Sequence, residues 1–290
     1  MVQIPYDDRD GFIWMNGEML PWREAKVHFL THALHYASSV FEGERLYNGK
    51  IFKSVEHSER LLNSAKIIHM PMDISVETLE AVKYDVVKAN NLTNGYVRAA
   101  AWRGPEQMGI DVSGSKTHVA VAAWDWGKYF FSDGETQGIS LMPSRWAKPA
   151  PHTAPTESKC AGLYALSGMA KKEAMDQGYV DALMLDHEGF VAESTGANLF
   201  AVKDGALITP IADRFLNGIT RQTVIELAKQ RGIEIVERRI KPEELGGFDG
   251  IFLTGTAAEI TPVSKIGEDL RYEIDPVITQ LHKDYEDLTH

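Results

Sequence analysis

Lys159 lies beside Cys160, the only cysteine of the chain, in the run PTESKCAGLY. A lysine among small residues is ordinarily a solvated surface charge, because lysine is rarely buried without a partner. An amine that loses its proton can instead act as a nucleophile or as a base. The segment follows the proline-rich run PAPHTAP and precedes a helical pattern from about Gly162. The chemistry open to Lys159 therefore depends on the groups that the rest of the chain supplies.

Two short segments are typical of anion sites. In FLNGITRQTVIEL, the junction Gly218-Ile219-Thr220 opens a predicted helix, whose unpaired N–H groups and dipole favour an anion. In LTGTAAEITP, a predicted strand runs into a turn of small residues, Gly255 to Ala258, which leaves backbone amides unpaired. An ordinary helix capped by Thr220 and a plain strand connection stay open as alternatives.

Two further charged residues could join such a site. Arg60 in EHSERL could bind an anion, or it could pair on the surface with Glu56, four residues earlier. Glu193 follows a predicted hairpin over 181–193 and could be either an exposed carboxylate or part of a site. Lysine, arginine, carboxylate and anion-binding turns do not by themselves name a reaction.

Three histidines indicate a different chemistry. His28, His32 and His35 have a spacing that could place three imidazoles on one helical face, as zinc ligands of a hydrolase. No HExxH motif accompanies them, and we expect no metal site. The chain also lacks the Gly-x-Ser-x-Gly, GxxxxGK[ST] and GxGxxG motifs of hydrolases and nucleotide-binding proteins.

The composition limits the classes of partner. The 290-residue chain has a net charge of −11 and a pI near 5.4, which argues against nucleic acid or an anionic membrane as a partner. No stretch approaches the roughly 20 apolar residues of a membrane span. A single cysteine excludes an intrachain disulfide, and we expect a reducing, cytoplasmic environment.

The hydrophobic pattern predicts an α+β fold in two domains. Hairpins are expected around Asn16-Gly17, Asn48-Gly49 and Asp204-Gly205, and helices over 55–70, 76–89, 162–177 and 220–231. The predicted division is a small α/β domain over 1–127, an interdomain loop over 128–138 and a larger strand-rich domain over 139–290.

Six segments in register carry a family resemblance. They are EGERLYNGKIFK with EHSERLLNSAK, YVRAAAWRG, PTESKCAGLY, VAESTGANLF, FLNGITR and LTGTAAEITPV. In this order they resemble the branched-chain aminotransferases, which are fold-type IV pyridoxal-phosphate enzymes. The likeness runs from about residue 12 to 268 and implies the two-domain fold of the D-amino-acid aminotransferases, with the cofactor bound by the larger domain.

The resemblance implies a role for each cofactor-binding candidate. Lys159 corresponds to the lysine that holds pyridoxal 5'-phosphate covalently and moves a proton at the substrate Cα. Glu193 corresponds to the carboxylate that faces the pyridine nitrogen, and Tyr164 to the phenol that bonds the ring oxygen. The expected phosphate contacts are Arg60, Gly218, Ile219, Thr220 and Thr256.

The resemblance also implies a substrate pocket that accepts both a branched amino acid and 2-oxoglutarate. The α-carboxylate is expected at the amides of Ala257 and Ala258 with Tyr96. Arg98, with Tyr36 nearby, is expected to bind the side-chain carboxylate of glutamate. The expected apolar wall consists of Phe41, Gly43, Trp126 and Tyr129.

Three positions depart from the family pattern. Ala99 stands where many members have proline, Ala197 where many have glutamate, and Glu44 where an apolar residue is frequent. Ala99 and Glu44 are expected to border the substrate pocket.

The implied activity is transamination between L-leucine, L-isoleucine or L-valine and 2-oxoglutarate, which yields branched 2-oxo acids and L-glutamate. A D-amino-acid transaminase, an (R)-amine transaminase or an aminodeoxychorismate lyase of the same fold are alternatives, with a zinc-dependent hydrolase as a remote one. Residues 108–110 are expected to reach the site of a neighbouring subunit, so that the protein forms a homodimer or a higher homo-oligomer.

Overall fold

The computed structural model describes residues 4–127 and 138–289. Helices and strands are mixed in both ranges, so the predicted α+β class is confirmed. The predicted loop over 128–138 lies outside the described residues except for Gly138. No helix of the described residues is long and apolar enough to span a membrane.

The chain divides into two compact units. They are the described parts of Met1–Gly127 with Ser158–Gly162, and of Lys128–Glu157 with Leu163–His290. The segment 158–162, which the sequence pattern placed in the second domain, thus belongs to the first unit. The reason is backbone pairing: the N–H of Ala161 donates to the carbonyl of Ser39 at 2.9 Å, and Cys160 forms a β-bridge with Val40.

The first unit contains an antiparallel sheet of seven strands and three α-helices. The strands are Phe12–Met15 (β1), Glu18–Pro21 (β2), Ser39–Phe41 (β3), Glu44–Tyr47 (β4), Lys50–Ile51 (β5), Gly95–Arg103 (β6) and Thr117–Trp124 (β7). The helices are His32–Tyr36 (α1), Ser54–Ile67 (α2) and Val76–Ala89 (α3), with a 3-10 turn at Trp22–Glu24. The strand order is β2-β1-β7-β6-β4-β5, and β3 pairs with a further stretch of β6.

Alternation along β6 decides which side chains meet the helices. Val97, Ala99 and Ala101 are fully buried on one face, whereas Arg98 lies on the other. Helices α2 and α3 pack on the sheet, and α3 buries residues at i, i+3, i+4 and i+7 of its sequence. The opposite face of β6 therefore remains available for a site.

The second unit is built on nine strands and three α-helices. The strands are Ile139–Ala147 (β8), Asp181–Leu185 (β9), Val191–Ser194 (β10), Asn198–Lys203 (β11), Ala206–Thr209 (β12), Ile235–Glu237 (β13), Gly250–Gly255 (β14), Glu259–Ile266 (β15) and Leu270–Arg271 (β16). The helices are Gly162–Asp176 (α4), Ile219–Gln230 (α5) and Pro276–Thr289 (α6), with a 3-10 helix at Pro242–Gly247.

Six of these strands form a closed ring. The order is β10-β9-β8-β15-β14-β11, and an additional pairing joins β10 to β11. Glu193 and Asn198 are the opposed residues of that closing pairing. Side chains such as Leu141, Leu199 and Leu253 are fully buried in the core that the ring contributes to. Closure removes two strand edges and fixes the residues at the seam.

Most predicted elements are present, with three differences. The three hairpin turns have positive φ at both central residues, as their Asn-Gly and Asp-Gly sequences predict. Helix α5 begins at Ile219 with Gly218 as N-cap, so the prediction of Thr220 as N-cap is wrong. The run IEIVERRI, residues 233–240, has the pattern of a longer strand, but only β13 forms within it, and helix α6 was not predicted.

Candidate active site

The backbone around Lys159 is fixed from two sides. The N–H of Phe41 on β3 donates to the carbonyl of Lys159 at 3.2 Å, and the N–H of Lys159 donates to Oγ of Ser64 on α2 at 3.0 Å. These bonds use main-chain atoms of Lys159 and leave its side chain out of the pairing. The backbone of Lys159 is therefore fixed to both β3 and α2.

The ring of Phe41 lies next to two cations. Nζ of Lys159 is 5.0 Å from the ring centroid, and Cζ of Arg98 is 4.8 Å from it. Arg98 also lies 5.5 Å from the ring centroid of Tyr96. An aromatic face attracts each cation and orients the guanidinium without neutralising it. Four residues predicted for the site are thus in one place: Phe41, Tyr96, Arg98 and Lys159.

Gly43 allows Tyr96 to approach the backbone. A Cβ at position 43 would lie 1.9 Å from the hydroxyl oxygen of Tyr96, so any larger residue would displace the Tyr96 ring. The ring of Tyr96 packs edge to face on Trp126, with centroids 4.6 Å apart. Burial raises the pKa of the Tyr96 phenol, so this hydroxyl stays protonated and can donate a hydrogen bond.

Trp126 is held by a neighbour that the sequence did not indicate. Arg45 on β4 donates to the carbonyls of Trp126 and Gly127 at 2.8 and 2.9 Å. The guanidinium therefore anchors the chain at the end of the described range 4–127. Tyr129, predicted for the same wall, lies outside the described residues.

Arg60 is held by a buried carboxylate. Its Nε and Nη2 donate to the two oxygens of Glu42 at 2.6 and 2.8 Å, and Glu42 is fully buried. Glu56, the surface partner considered for Arg60, instead pairs with Lys53 at 3.2 Å. Nδ1 of His57 contacts the same carboxylate at 2.6 Å. Arg60 is therefore a fixed cation whose orientation Glu42 determines.

The pKa values of this group follow from burial and pairing. Burial alone would raise the pKa of Glu42, but the guanidinium of Arg60 and the hydrogen bonds from Arg60 and His57 outweigh it and hold that pKa well below its usual range. Burial lowers the pKa of His57, although Glu42 acts in the opposite direction. The group is thus an ionised Glu42–Arg60 pair with a neutral imidazole beside it.

A second buried pair lies behind the sheet. Nζ of Lys83 on α3 donates to Glu44 at 2.8 Å, to Oγ of Ser58 at 2.6 Å and to the carbonyl of Ser54 at 3.1 Å. Glu80 also contacts this ammonium at 3.1 Å. Both Lys83 and Glu44 are fully buried. Glu44, which departs from the family pattern, thus has Lys83 of α3 as its partner.

Glu44 and Ala99 were expected to border the substrate pocket, but both face the helices. The period of two in a strand places them on the side of Val97, opposite Arg98. Because their side chains point to the helices, Glu44 and Ala99 cannot influence substrate choice by direct contact with the substrate.

The pH dependence of stability should depend on Glu44. Burial raises its pKa from 4.5 to about 8 despite the attraction of Lys83. Between these values the folded chain keeps a proton that the unfolded chain has released, so stability falls as pH rises through this window. The slope per proton is about 1.4 kcal/mol per pH unit.

We therefore expect Glu44→Gln to flatten the pH dependence of the unfolding free energy between about pH 5 and 8. Urea unfolding at several pH values in this window measures it. Glu59→Gln, which removes an exposed carboxylate from α2, should leave the slope of the parent protein unchanged. Identical slopes for Glu44→Gln and the parent protein would contradict the prediction.

The three histidines of the zinc hypothesis have separate partners. His32 is buried, with Nδ1 2.6 Å from Oγ of Ser38 and Nε2 2.8 Å from the carbonyl of Gly109. His28 and His35 bond to nearby backbone groups instead. In the part of the chain that the structure describes, no cluster of His, Cys, Asp or Glu could hold a metal ion.

Tyr36 lies at the end of α1 and is 42% exposed. Its ring is 4.6 Å from that of His32 and 6.4 Å from that of His35. Through His32 and Gly109, the helix is joined to the loop that contains residues 108–110. Tyr36 and this loop therefore share one surface of the first unit.

In the second unit, each carboxylate oxygen of Glu193 has a polar partner. Nζ of Lys148 lies 2.7 Å from Oε1, and Nδ2 of Asn198 donates to Oε2 at 2.9 Å. The Glu193 side chain is 10% exposed. A buried carboxylate with fixed oxygens and further lone pairs can accept a hydrogen bond from a cationic ring nitrogen.

The start of α5 offers donors to an anion. Gly218 is the N-cap, so the amides of the first turn, from Ile219 onward, have no partner within the helix. The hydroxyl of Thr220 is in the same turn, and Thr220 is buried. Thr256, Ala257 and Ala258 follow β14 in the turn before β15. Tyr164 is in the first turn of α4.

These donor sets suit pyridoxal phosphate. A helix N-terminus and a threonine hydroxyl match a phosphate dianion, and a fixed carboxylate matches a protonated pyridine nitrogen. Gly218 leaves room for this arrangement, because a Cβ there would lie 2.3 Å from Oδ1 of Asn198. Three supporting residues were not found by sequence reasoning: Glu42, which holds Arg60, and Lys148 and Asn198, which hold Glu193. The one available signal was a polar residue within an otherwise apolar strand pattern: Glu42 in VFEGE and Asn198 in ANLFAV.

The fold and these residues define a class of enzyme. The chain belongs to the amino-transferase class IV family, whose pattern matches residues 39–266. The branched-chain-amino-acid aminotransferase of Pseudomonas aeruginosa is 42% identical over 290 residues, which cover 97% of this chain and 94% of that protein.

Solved structures agree with that grouping. The Escherichia coli branched-chain amino acid aminotransferase has a TM-score of 0.94 at 41% identity, over 97% of this chain and 95% of that one. The branched-chain amino acid aminotransferase of Thermobaculum terrenum, in its PLP-bound holo form, has a TM-score of 0.88 at 31% identity, over 96% of this chain and 93% of that one. The predicted family is confirmed.

Proposed function

We propose that the protein transfers the amino group of branched-chain L-amino acids to 2-oxoglutarate with pyridoxal 5'-phosphate as cofactor. The observation that carries the proposal is the placement of Lys159 and Arg98 on the same aromatic ring, that of Phe41. In its neutral form the amine of Lys159 can hold the cofactor and take up the Cα proton, and the guanidinium of Arg98 can recognise a carboxylate at the far end of the substrate. The similarity to branched-chain aminotransferases supports the same reaction.

The cofactor, when bound, supplies an electron sink for the charge that develops at the substrate Cα. In this proposal Lys159 holds it covalently and moves the Cα proton. Glu193 accepts a hydrogen bond from the ring nitrogen and Tyr164 donates one to the ring oxygen. The phosphate is bound by Arg60, Gly218, Ile219, Thr220 and Thr256.

The substrate residues divide by charge. Arg98, with Tyr36, binds the side-chain carboxylate of glutamate, because a guanidinium can make two parallel hydrogen bonds to it. Tyr96 and the amides of Ala257 and Ala258 receive the α-carboxylate. A leucine side chain would contact the apolar wall instead, for which we propose Phe41, Gly43, Trp126 and Tyr129.

We further propose a homodimer or higher homo-oligomer, in which residues 108–110 reach the site of a second copy. Large apolar side chains around α1 and this loop are exposed: Phe29 by 74%, Leu34 by 62% and Ile110 by 82%. Apolar side chains of this size in one area are typical of an interface. A cytoplasmic location stays a prediction, supported by the single, unbridged Cys160.

A panel of amino donors tests the function. With pyridoxal phosphate and 2-oxoglutarate, we expect L-leucine, L-isoleucine and L-valine to yield glutamate at rates at least about tenfold above D-alanine and (R)-1-phenylethylamine. A preference for D-alanine or the amine would transfer the assignment to another transaminase of this fold. A colourless protein that takes up no pyridoxal phosphate would contradict the proposal entirely. Light scattering on the same sample tests the assembly, since a monomer mass would contradict it.

A further inference from the structure

One buried amide joins two parts of the second unit that the proposed function assigns to opposite ends of the cofactor. Asn198 is 4% exposed, and its Nδ2 donates to Oε2 of Glu193 at 2.9 Å and to the carbonyl of Leu216 at 3.0 Å. Its Oδ1 accepts from the N–H of Gly218 at 3.1 Å. The side chain thus contacts both the Glu193 carboxylate and the turn that opens α5.

The orientation of this amide is determined by its partners. The two hydrogens on Nδ2 face two acceptors, and Oδ1 faces a donor, so rotating the amide by 180° would oppose like groups. Each contact is within ordinary hydrogen-bond distance. Because the amide is buried, an unmade bond would cost more than the same bond at the surface.

The surroundings keep Asn198 in this position. Asn198 is opposite Glu193 in the pairing that closes the ring of strands, so its backbone cannot shift along β11 without breaking the seam. Gly218 provides the space for Oδ1, since a Cβ there would approach it to 2.3 Å. Lys148 holds the other oxygen of Glu193 at 2.7 Å and balances its charge. The two ends of the bridge are therefore separately restrained and joined by one side chain.

We propose that Asn198 is a positioning residue that sets the separation between the Glu193 carboxylate and the amides at the start of α5. A ligand with a protonated ring nitrogen and a phosphomonoester then meets both partners at once, and the two binding contributions reinforce each other. This inference rests on the proposed function. Asn198 itself acts through Glu193 and Gly218 and takes no part in the reaction.

The test uses ligands that cannot react with Lys159. Pyridoxine 5'-phosphate and pyridoxine have an alcohol in place of the aldehyde, so their affinities report the non-covalent contacts alone. Calorimetric titration of each into the cofactor-free protein gives the ratio of the two dissociation constants, which measures what the phosphate contributes when the ring is in place. We expect Asn198→Ala to lower this ratio about tenfold, because the phosphate and ring partners are no longer held in register.

Two variants complete the design. Asn198→Asp keeps the side-chain volume but places a carboxylate against the Glu193 carboxylate and the Leu216 carbonyl. We expect the same fall in the ratio for this variant, so the test stands even if Asn198→Ala folds poorly. Asn217→Ala truncates the same residue type in the same turn, where the side chain accepts from Arg221 and is exposed. This control should change the ratio by less than about threefold.

The outcomes separate the two proposals. If Asn198→Ala and Asn198→Asp weaken both ligands by the same factor, or change neither, the positioning role is overturned while the cofactor assignment stands. If the parent protein binds neither ligand, the proposed function fails and this inference fails with it. The absorption of the bound ring as pH rises gives a second readout. We expect its protonated form to persist to higher pH in the parent protein than in Asn198→Ala.

Discussion

Replacing Lys159 with alanine is expected to lower the rate of transamination at least about 10⁴-fold, because the variant loses the amine that we propose both holds the cofactor and moves the Cα proton. Folding should be little affected. The bonds that fix this segment to β3 and α2 use backbone atoms of Lys159, which alanine retains. We therefore expect the unfolding free energy to change by about 1 kcal/mol or less.

Borohydride reduction of the cofactor-loaded protein, followed by peptide mapping, locates the attachment. The label is expected on the peptide that contains Lys159 and on no other. Lys172→Ala provides the matched control, since this lysine on α4 has a side chain that is 72% exposed, and both labelling and turnover should match the parent protein. A label on a different lysine, or substantial turnover by Lys159→Ala, would show that the assignment is wrong.

The fold was predictable where the signal is local. The Asn-Gly and Asp-Gly turns and the period of α3 determine their elements within a few residues of sequence, and these are present. Helix α6 was missed although Ile278, Leu281 and Tyr285 recur at helical spacing and are buried. The start of α5 was misplaced because a glycine N-cap leaves less signal in the sequence than the threonine two residues later.

Candidate site residues could be named from the sequence where the residue type itself indicates a role. Lysine, arginine and aromatic residues could be assigned from the resemblance, and Phe41, Arg98 and Lys159 do lie together. Their supports could not be assigned, because each depends on pairing across the chain. Glu42 meets Arg60 18 positions away, and Glu44 meets Lys83 39 positions away. No local pattern specifies such partners.

The same long-range dependence explains Asn198. Its three bonds join β10, β11 and the turn before α5, and the opposition to Glu193 exists only once the ring of strands is closed. Whether a sheet closes depends on the registers of all its strand pairs, so the sequence of a single strand does not indicate closure. The only local sign in the sequence is that Asn198, a polar residue, begins the otherwise largely apolar strand β11.

Arg98→Ala is expected to separate the two classes of substrate. In the proposed site the guanidinium makes charge-assisted bonds that only a dicarboxylic substrate can use. We therefore expect kcat/KM with L-glutamate to fall about 10²-fold or more, and kcat/KM with L-leucine to fall less than about tenfold. Each half-reaction is measured alone, from the absorbance change when one amino acid reacts with the cofactor-loaded enzyme. This design is needed because a steady-state assay with leucine also contains 2-oxoglutarate.

Arg98→Met distinguishes charge from packing in this result. Methionine restores apolar contact with the rings of Phe41 and Tyr96, which lie 4.8 and 5.5 Å from the guanidinium carbon, but it provides no donor. We expect it to recover the leucine reaction and to leave the glutamate reaction about as impaired as in Arg98→Ala. Arg145→Ala, at a side chain that is 71% exposed, should alter neither reaction. Equal losses with glutamate and leucine in both Arg98 variants would mean that Arg98 supports the pocket as a whole, and the side-chain carboxylate of glutamate would then have to be bound by a different residue.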